Sequence, residues 1–287
     1  EVENTGHRLT TEQTGSSHTA EQNQSGLNDF SALIYGSADV IRMTNIGSRA
    51  EVRQQGEAHT SIQKQSGLER MGVQLGTAES SVTAQGITVS EVGHSATAVQ
   101  QGTGHESRQL QSGINDLRIT TGGRKEQRLA DIAIGGIGHT ATAEQQGEFH
   151  SITQEQKMAD EMYVGIEGEA RSVMLNLGHT AVSVQHGSAH TGIQSQMSDY
   201  SVSQGGIRTA SGHRATLRQE GYSHRSEQIQ NGWDHESLTT QQGIKNLSLL
   251  SQQGGGHFSE TVQTGTGHEA DVSQNGFRNS ATVLQKN

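Results

Sequence analysis

The sequence predicts an all-β protein, a two-sided parallel β-solenoid of about 13 coils of about 22 residues each, stacked in the cross-β manner. Three regularities predict it. From His213 to Asn279 a histidine or asparagine recurs every eleven residues without a slip; a glutamine stands six positions after each; and a glycine stands eight positions after each up to Gly276.

The recurring His or Asn defines position zero: His213, His224, His235, Asn246, His257, His268 and Asn279. The glutamines at +6 are Gln219, Gln230, Gln241, Gln252, Gln263, Gln274 and Gln285. The glycines at +8 are Gly221, Gly232, Gly243, Gly254, Gly265 and Gly276. Position +2 holds only Ala or Ser, from Ala215 and Ser226 to Ala270 and Ala281. Earlier units carry the same signature at His18, His59, His94, His105, His139, His150, His179 and His190. Fourteen of the fifteen histidines occupy position zero, His186 being the exception.

An eleven-residue repeat also suits a right-handed coiled coil at 3.67 residues per turn. Fixed residues at 0, +2 and +6 instead show the alternation of a strand, and a glycine in every unit would cost a helix about 1 kcal/mol each time. In the strand reading, positions 0, +2, +4 and +6 face inward, where +2 must be small for two sheets to approach. Position +4 is often Leu, Val or Thr, and the mostly polar +1, +3 and +5 face solvent. Glycine at +8 allows the positive φ of a tight bend. One unit is a strand and a bend, two units make a flattened coil, and Gln, Asn and Ser stack into interior ladders.

From His7 to Asn279 the period implies 25 or 26 strands, about 13 coils, and a stack roughly 60 Å tall. One repeat domain is expected over residues 1–287, with a short lead at 1–6. The pattern weakens near 29–47, 70–93, 116–138, 158–178 and 197–212, which predicts less regular coils alternating with consensus ones and a larger period of about 44 residues.

Composition sets bounds. Leu, Ile, Val and Phe make up 52 of 287 residues and the net charge is -10, values at which disorder is the usual outcome. The absence of Pro and the fixed period of the glycines argue against disorder here. Without Cys, disulfides and thiolate metal sites are excluded. No apolar run reaches the length of a membrane span, so no membrane insertion is expected. A pI near 5.8 with scattered Lys and Arg argues against nucleic acid as a partner. No signal peptide precedes Glu1, so an exported protein would be present here in its mature form.

The frame Gln-x-Gly-x-x-Asn-x-Ala-x-x-x-Gln, seen as "QNGFRNSATVLQ" at 274–285, resembles the curlin repeat of bacterial curli fibres. "QQGTGHESRQLQ" at 100–111 and "QEGYSHRSEQIQ" at 219–230 match it with His in place of Asn. The resemblance covers nearly the whole chain. It implies a secreted structural subunit of a functional amyloid in the biofilm matrix, assembled as an extracellular, cell-surface fibre. Its implied partners are further copies of itself, a minor nucleator subunit and an outer-membrane secretion pore. The family's usual N-terminal export segment is not seen here, and His largely replaces its Asn at position zero.

The histidines are the one constellation that resembles chemistry. His213, His235 and His257 are expected to stack on one side, with His224 and His268 separated by Asn246 on the other. Rings about 4.8 Å apart could chelate zinc or copper between coils. The ladder role, with one ring nitrogen donating and the other accepting, is favoured because no Cys and few regularly placed carboxylates complete a tetrahedral set. No metal or cofactor is therefore expected.

Asp29, Asp116 and Glu161 sit where position zero should fall, but in different coils with no long loops to wall a cleft, so no enzyme is expected. A Thr-x-Thr array of the ice-binding kind is hinted at by "HTATA" at 139–143, though outward slots elsewhere carry Arg, Glu and Asp. "GGRKEQR" at 122–128 reads as a solvated bend. The expected function is a self-assembling fibre subunit that grows by end-to-end stacking of coils. The alternative is a monomeric solenoid acting as an adhesin or ligand-binding surface. The consensus unit at 279–287 and the repeat starting at His7 predict that both end coils can bind further coils.

Overall fold

The computed structural model describes residues 2–5, 7–25, 30–33, 36–46, 48–66, 71–74, 81–113, 117–121, 126–135, 138–158, 162–166, 172–176, 178–198 and 212–287. These residues form 26 strands. The first circuits of the chain hold four strands each. After β1 (Val2–Thr5) come β2 (Arg8–Ser16), β3 (Thr19–Ser25), β4 (Phe30–Leu33) and β5 (Gly36–Ile46). The next circuit repeats them as β6 (Arg49–Glu57), β7 (Thr60–Ser66), β8 (Met71–Gln74) and β9 (Ser81–Val92). Then follow β10 (Ser95–Thr103), β11 (Glu106–Ser112), β12 (Leu117–Thr121) and β13 (Glu126–Gly135), and β14 (Thr140–Glu148), β15 (Ser151–Met158), β16 (Met162–Ile166) and β17 (Ser172–Asn176).

From there the strands come in pairs. β18 (Thr180–Ser188) and β19 (Thr191–Ser198) precede β20 (Arg214–Tyr222) and β21 (Arg225–Trp233). β22 (Glu236–Ile244), β23 (Leu247–Gly255), β24 (Phe258–Thr266), β25 (Glu269–Phe277) and β26 (Ser280–Lys286) complete the chain.

All pairings are parallel and in strict register. The consensus strands form two sheets, one of nine in the order β2-β6-β10-β14-β18-β20-β22-β24-β26, the other of eight in the order β3-β7-β11-β15-β19-β21-β23-β25. This is the two-sided parallel β-solenoid that the eleven-residue period predicts. Among the described residues no helix is long and apolar enough to cross a membrane.

The stacking order differs from the expected alternation of regular and irregular coils. β2 pairs directly with β6, skipping residues 26–47, because Gln13 then lies on Gln54 and Gly15 on Gly56. A strand without those residues, placed between them, would interrupt every column. The strands of the irregular stretches pair with each other instead, β1-β5-β9-β13-β17 in one sheet and β4-β8-β12-β16 in another. In backbone register Ile41 pairs with Ile87 and Ile87 with Ile132, and Met43 pairs with Val89 and Val89 with Ile134. The consensus strands of the described residues stand nine deep in one sheet and eight deep in the other. Their height is about 38 Å. The period of about 44 is the sequence length of one four-strand circuit: row-to-row separations are 41, 46, 45 and 40 residues, then 34, then 22. The lead is no loose end, since β1 pairs with β5. Residues 126–128 of the basic run open β13, which narrows the expected bend.

Burial follows the predicted alternation. In β22, Ser237, Thr239 and Gln241 are buried while Glu236, Leu238 and Thr240 face outward. Within the consensus strands only Ile152, Leu217 and Leu250 bury an aliphatic side chain larger than valine, so most of the core between these two sheets is Ala, Ser and amide. The serine hydroxyls at +2 (Ser61, Ser107, Ser226, Ser237, Ser248 and Ser259) are buried with no hydrogen-bond partner. The same slot is filled by Ala96, Ala141, Ala181 and Ala215 in other rows. Ser237→Ala should therefore be neutral or stabilise by up to about 1 kcal/mol, because it deletes an unpaired buried hydroxyl without opening a sizeable cavity. A loss of 1 kcal/mol or more in chemical denaturation would place a hydrogen bond there.

The glycine at +8 is fixed by close approach as well as by φ. Gly243 has φ of 111°, and a Cβ on it would lie 2.1 Å from the carbonyl oxygen of Gly265 in the next row. Gly243→Ala should destabilise by about 3 kcal/mol or more, since the backbone of two rows must part. Gly267, at +10 with φ of 70° and nothing within 4 Å, takes alanine at about 1 kcal/mol, as the left-handed Ala58 and Ala189 in that slot attest. Equal denaturation midpoints for the two variants would contradict the close-approach account.

Candidate functional site

Position zero builds two columns of stacked imidazoles. On the eight-stranded side His18, His59, His105, His150, His190 and His224 stack with ring centroids 4.8–5.0 Å apart. On the nine-stranded side His94, His139, His179, His213, His235 and His257 stack at 4.7–5.0 Å. Parallel strands in register put identical side chains about 4.8 Å apart, which is also the spacing of stacked rings.

The hydrogen bonds set the tautomer. Nδ1 of each ring accepts the backbone N–H of position zero in the next row, as His213 does from His235 at 3.2 Å and His235 from His257 at 3.2 Å. Nε2 faces a backbone carbonyl at position +7 of the preceding consensus strand, Asn231 for His235 and Gln253 for His257, both at 3.0 Å. A carbonyl only accepts, so Nε2 carries the proton and the ring is neutral. Asn246 reproduces the arrangement: its Oδ1 accepts the His268 N–H at 3.0 Å and its Nδ2 donates to the Gln242 carbonyl at 3.1 Å.

From residue 66 on, the same bond closes the base of the irregular segments, at His94, His139, His179 and His213. His94 Nε2 reaches the Ser66 carbonyl at 3.1 Å across 67–93, and His139 reaches that of Ser112 at 3.0 Å. The segments thus leave after +7 and return at position zero, as insertions at a bend.

Glutamine builds three further columns. At +6, each Nε2 donates one hydrogen to the Oε1 of the next row at 2.5–3.2 Å, always toward higher residue numbers. Its second hydrogen goes across the core to the facing sheet, as from Gln230 to the Arg214 carbonyl and from Gln241 to that of Arg225, both at 3.0 Å. The predicted ladder residues at +6 are all in place, Gln219, Gln241, Gln263 and Gln285 on one side and Gln230, Gln252 and Gln274 on the other. The third column is at +4 of the eight-stranded sheet, where Gln63, Gln109, Gln154, Gln194 and Gln228 link at 2.8–2.9 Å. Sequence reasoning missed it by seeking Leu, Val or Thr at +4; the signal was a glutamine in alternate units only.

Burial sets the charge state of the rings. Desolvation pulls His94, His105, His150 and His190 down to about 4, and His213 to about 3, against the slight upward pull of their carbonyl partners. His139 and His179, deepest in the column, are lowered further by neighbouring rings, and His59, His224 and His235 move the same way. A proton on Nδ1 would also face the backbone N–H that the nitrogen now accepts.

His213, His235 and His257 are brought together as expected, but their planes are parallel within 7° and both nitrogens of each ring are engaged, so no lone pairs converge on an ion. Among the described residues no group of three His, Asp or Glu could hold a metal ion. Asp29, Asp116 and Glu161 lie outside the described residues. Thr140 and Thr142 face outward, but register puts Glu51 and Val182 in the column of Thr97 and Thr142, so a threonine array does not continue. His186, the one histidine off position zero, lies on the outer face 3.9 Å from Glu144. No known protein family, curated protein or solved structure matches the chain.

Proposed function

We propose that this chain is the structural subunit of an extracellular, curli-like amyloid fibre of a bacterial biofilm matrix, built by stacking the coils of one copy on those of the next. One observation carries the reading: every consensus row presents its successor with Gln at +6, and nearly all present His or Asn at position zero, so the face that one row offers matches that of the others. Ladders of this kind are what joins chains in cross-β fibres. At the N-terminal edge Gln24 Oε1 is buried and has no hydrogen-bond partner, although in every following row of its column that atom receives an amide. The secreted location, the nucleator and the outer-membrane pore rest on the curlin resemblance of the repeat. The role is mechanical: no catalysis and no cofactor enter it.

Negative-stain microscopy after a day in neutral buffer, with X-ray diffraction from the aligned sample, tests the reading. Unbranched fibres with an axial reflection at about 4.8 Å are expected. A chain that stays monomeric and folded would overturn it in favour of a monomeric adhesin or ligand-binding solenoid.

A further inference from the structure

The nine-stranded sheet holds both the first strand of the consensus stack, β2, and its last, β26. Because the path alternates between the sheets, the row after β26 lies on the eight-stranded side, over β25. Taking the fibre reading above as premise, we infer that in fibres grown from residues 1–287 a second copy enters that row with its own β2, so that consecutive copies are related by a half turn about the stack axis. β2 of the entering copy pairs with β25, and β3 with β26.

The exchange of sides breaks no +6 ladder. Both strand classes carry Gln at +6, so Gln13 falls on Gln274 and Gln24 on Gln285. The ladders donate toward higher residue numbers, so the amide of Gln285 supplies the hydrogen that the buried Gln24 Oε1 lacks.

Surface charge separates this joint from the direct one, in which β2 would sit on β26 and β3 on β25. With a half turn, the +1 residues Arg8 and Glu269, both exposed, become neighbours about 4.8 Å apart along the stack. In the direct joint Arg8 meets Ser280, while the +3 residues Glu21 and Asp271 fall side by side. Opposite charges on adjacent strands stabilise and like charges destabilise. Rows within the chain hold such pairs, Lys64 2.9 Å from Glu21 and Arg53 3.7 Å from Glu12, although Arg8 itself lies in register with Arg49. With 17 strands, each subunit advances the fibre by about 41 Å.

The chain has no cysteine, which makes the joint addressable. At the exposed +5 position, Glu12 meets Ser273 across a half-turn joint and Leu284 across a direct one. Fibres of Glu12→Cys/Ser273→Cys and of Glu12→Cys/Leu284→Cys, grown in reductant and treated with a short thiol crosslinker, are compared on denaturing gels. The first pair should give covalent multimers and the second should remain monomeric. Multimers from the second pair, or equally from both, would overturn the half turn and leave the fibre reading standing, whereas absence of fibres from the unmodified chain would remove the premise. As a check free of cysteine, Glu269→Arg should slow elongation about fivefold, and adding Arg8→Glu should restore it. A double variant slower than the single one contradicts the pairing.

Discussion

Lowering the pH from 7.5 to 5 is expected to remove about 4 kcal/mol of stability through His94 and His213 alone. Both rings are buried and neutral in the fold, at about 4 and about 3, against 6.5 when exposed. A group whose folded value is depressed in this way contributes fully above pH 6.5. Its contribution falls as the unfolded chain takes up protons, and the loss levels off only near the folded value. At pH 5 that is about 1.5 units, or about 2 kcal/mol for each ring. His105, His150 and His190, also at about 4, add losses in the same window. Whole domains are stable by about 5–15 kcal/mol, so the solenoid should unfold, or its fibres dissolve, between pH 6 and 4. Denaturant midpoints at pH 7.5, 6 and 5 measure this. His105→Asn with His150→Asn should flatten the dependence, since asparagine makes the same two bonds at Asn246 without titrating. Equal midpoints at pH 7.5 and 5 would mean that the columns tolerate charge.

Gln241→Leu is expected to destabilise by about 3–9 kcal/mol. Gln241 accepts from Gln219 at 2.8 Å, donates to Gln263 at 2.8 Å and donates to the Arg225 carbonyl at 3.0 Å. Leucine is similar in size and leaves three buried groups without partners, at about 1–3 kcal/mol each. Glu236→Gln, on the outer face of the same strand, should stay within about 0.5 kcal/mol of the parent. Similar urea midpoints for the two variants would contradict the assignment of inner and outer faces.

The inward face was legible because its residues repeat from His213 to Gln285: a His or Asn at zero, Ala or Ser at +2 and Gln at +6 specify one side of a strand and the bonds it can make, while Ser48 at zero and Leu9, Ile152 and Gly192 at +2 depart from it earlier. The order of stacking was not. A unit that matches every other unit says nothing of which one it will lie on, so the period alone did not reveal that Gln13 meets Gln54 across 41 residues. The irregular segments were visible as lapses in the pattern, but their pairing with each other, such as Ile41 in register with Ile87, appears only once the rows are aligned. The left-handed +10 residues had no signature either. Phe149, Asp234, Lys245 and Arg278 share the conformation because the bend imposes it, not because their side chains favour it.

The tautomer of the stacked histidines bears most directly on the central claim, that in-register columns of neutral imidazole and amide hold the rows together. Nitrogen NMR of histidine-labelled protein at pH 7.5 reads it. The ladder histidines should appear as one family of neutral rings protonated at Nε2, with Nδ1 an acceptor from backbone N–H, and His186 apart from them. Charged rings, or rings protonated at Nδ1, would contradict the account.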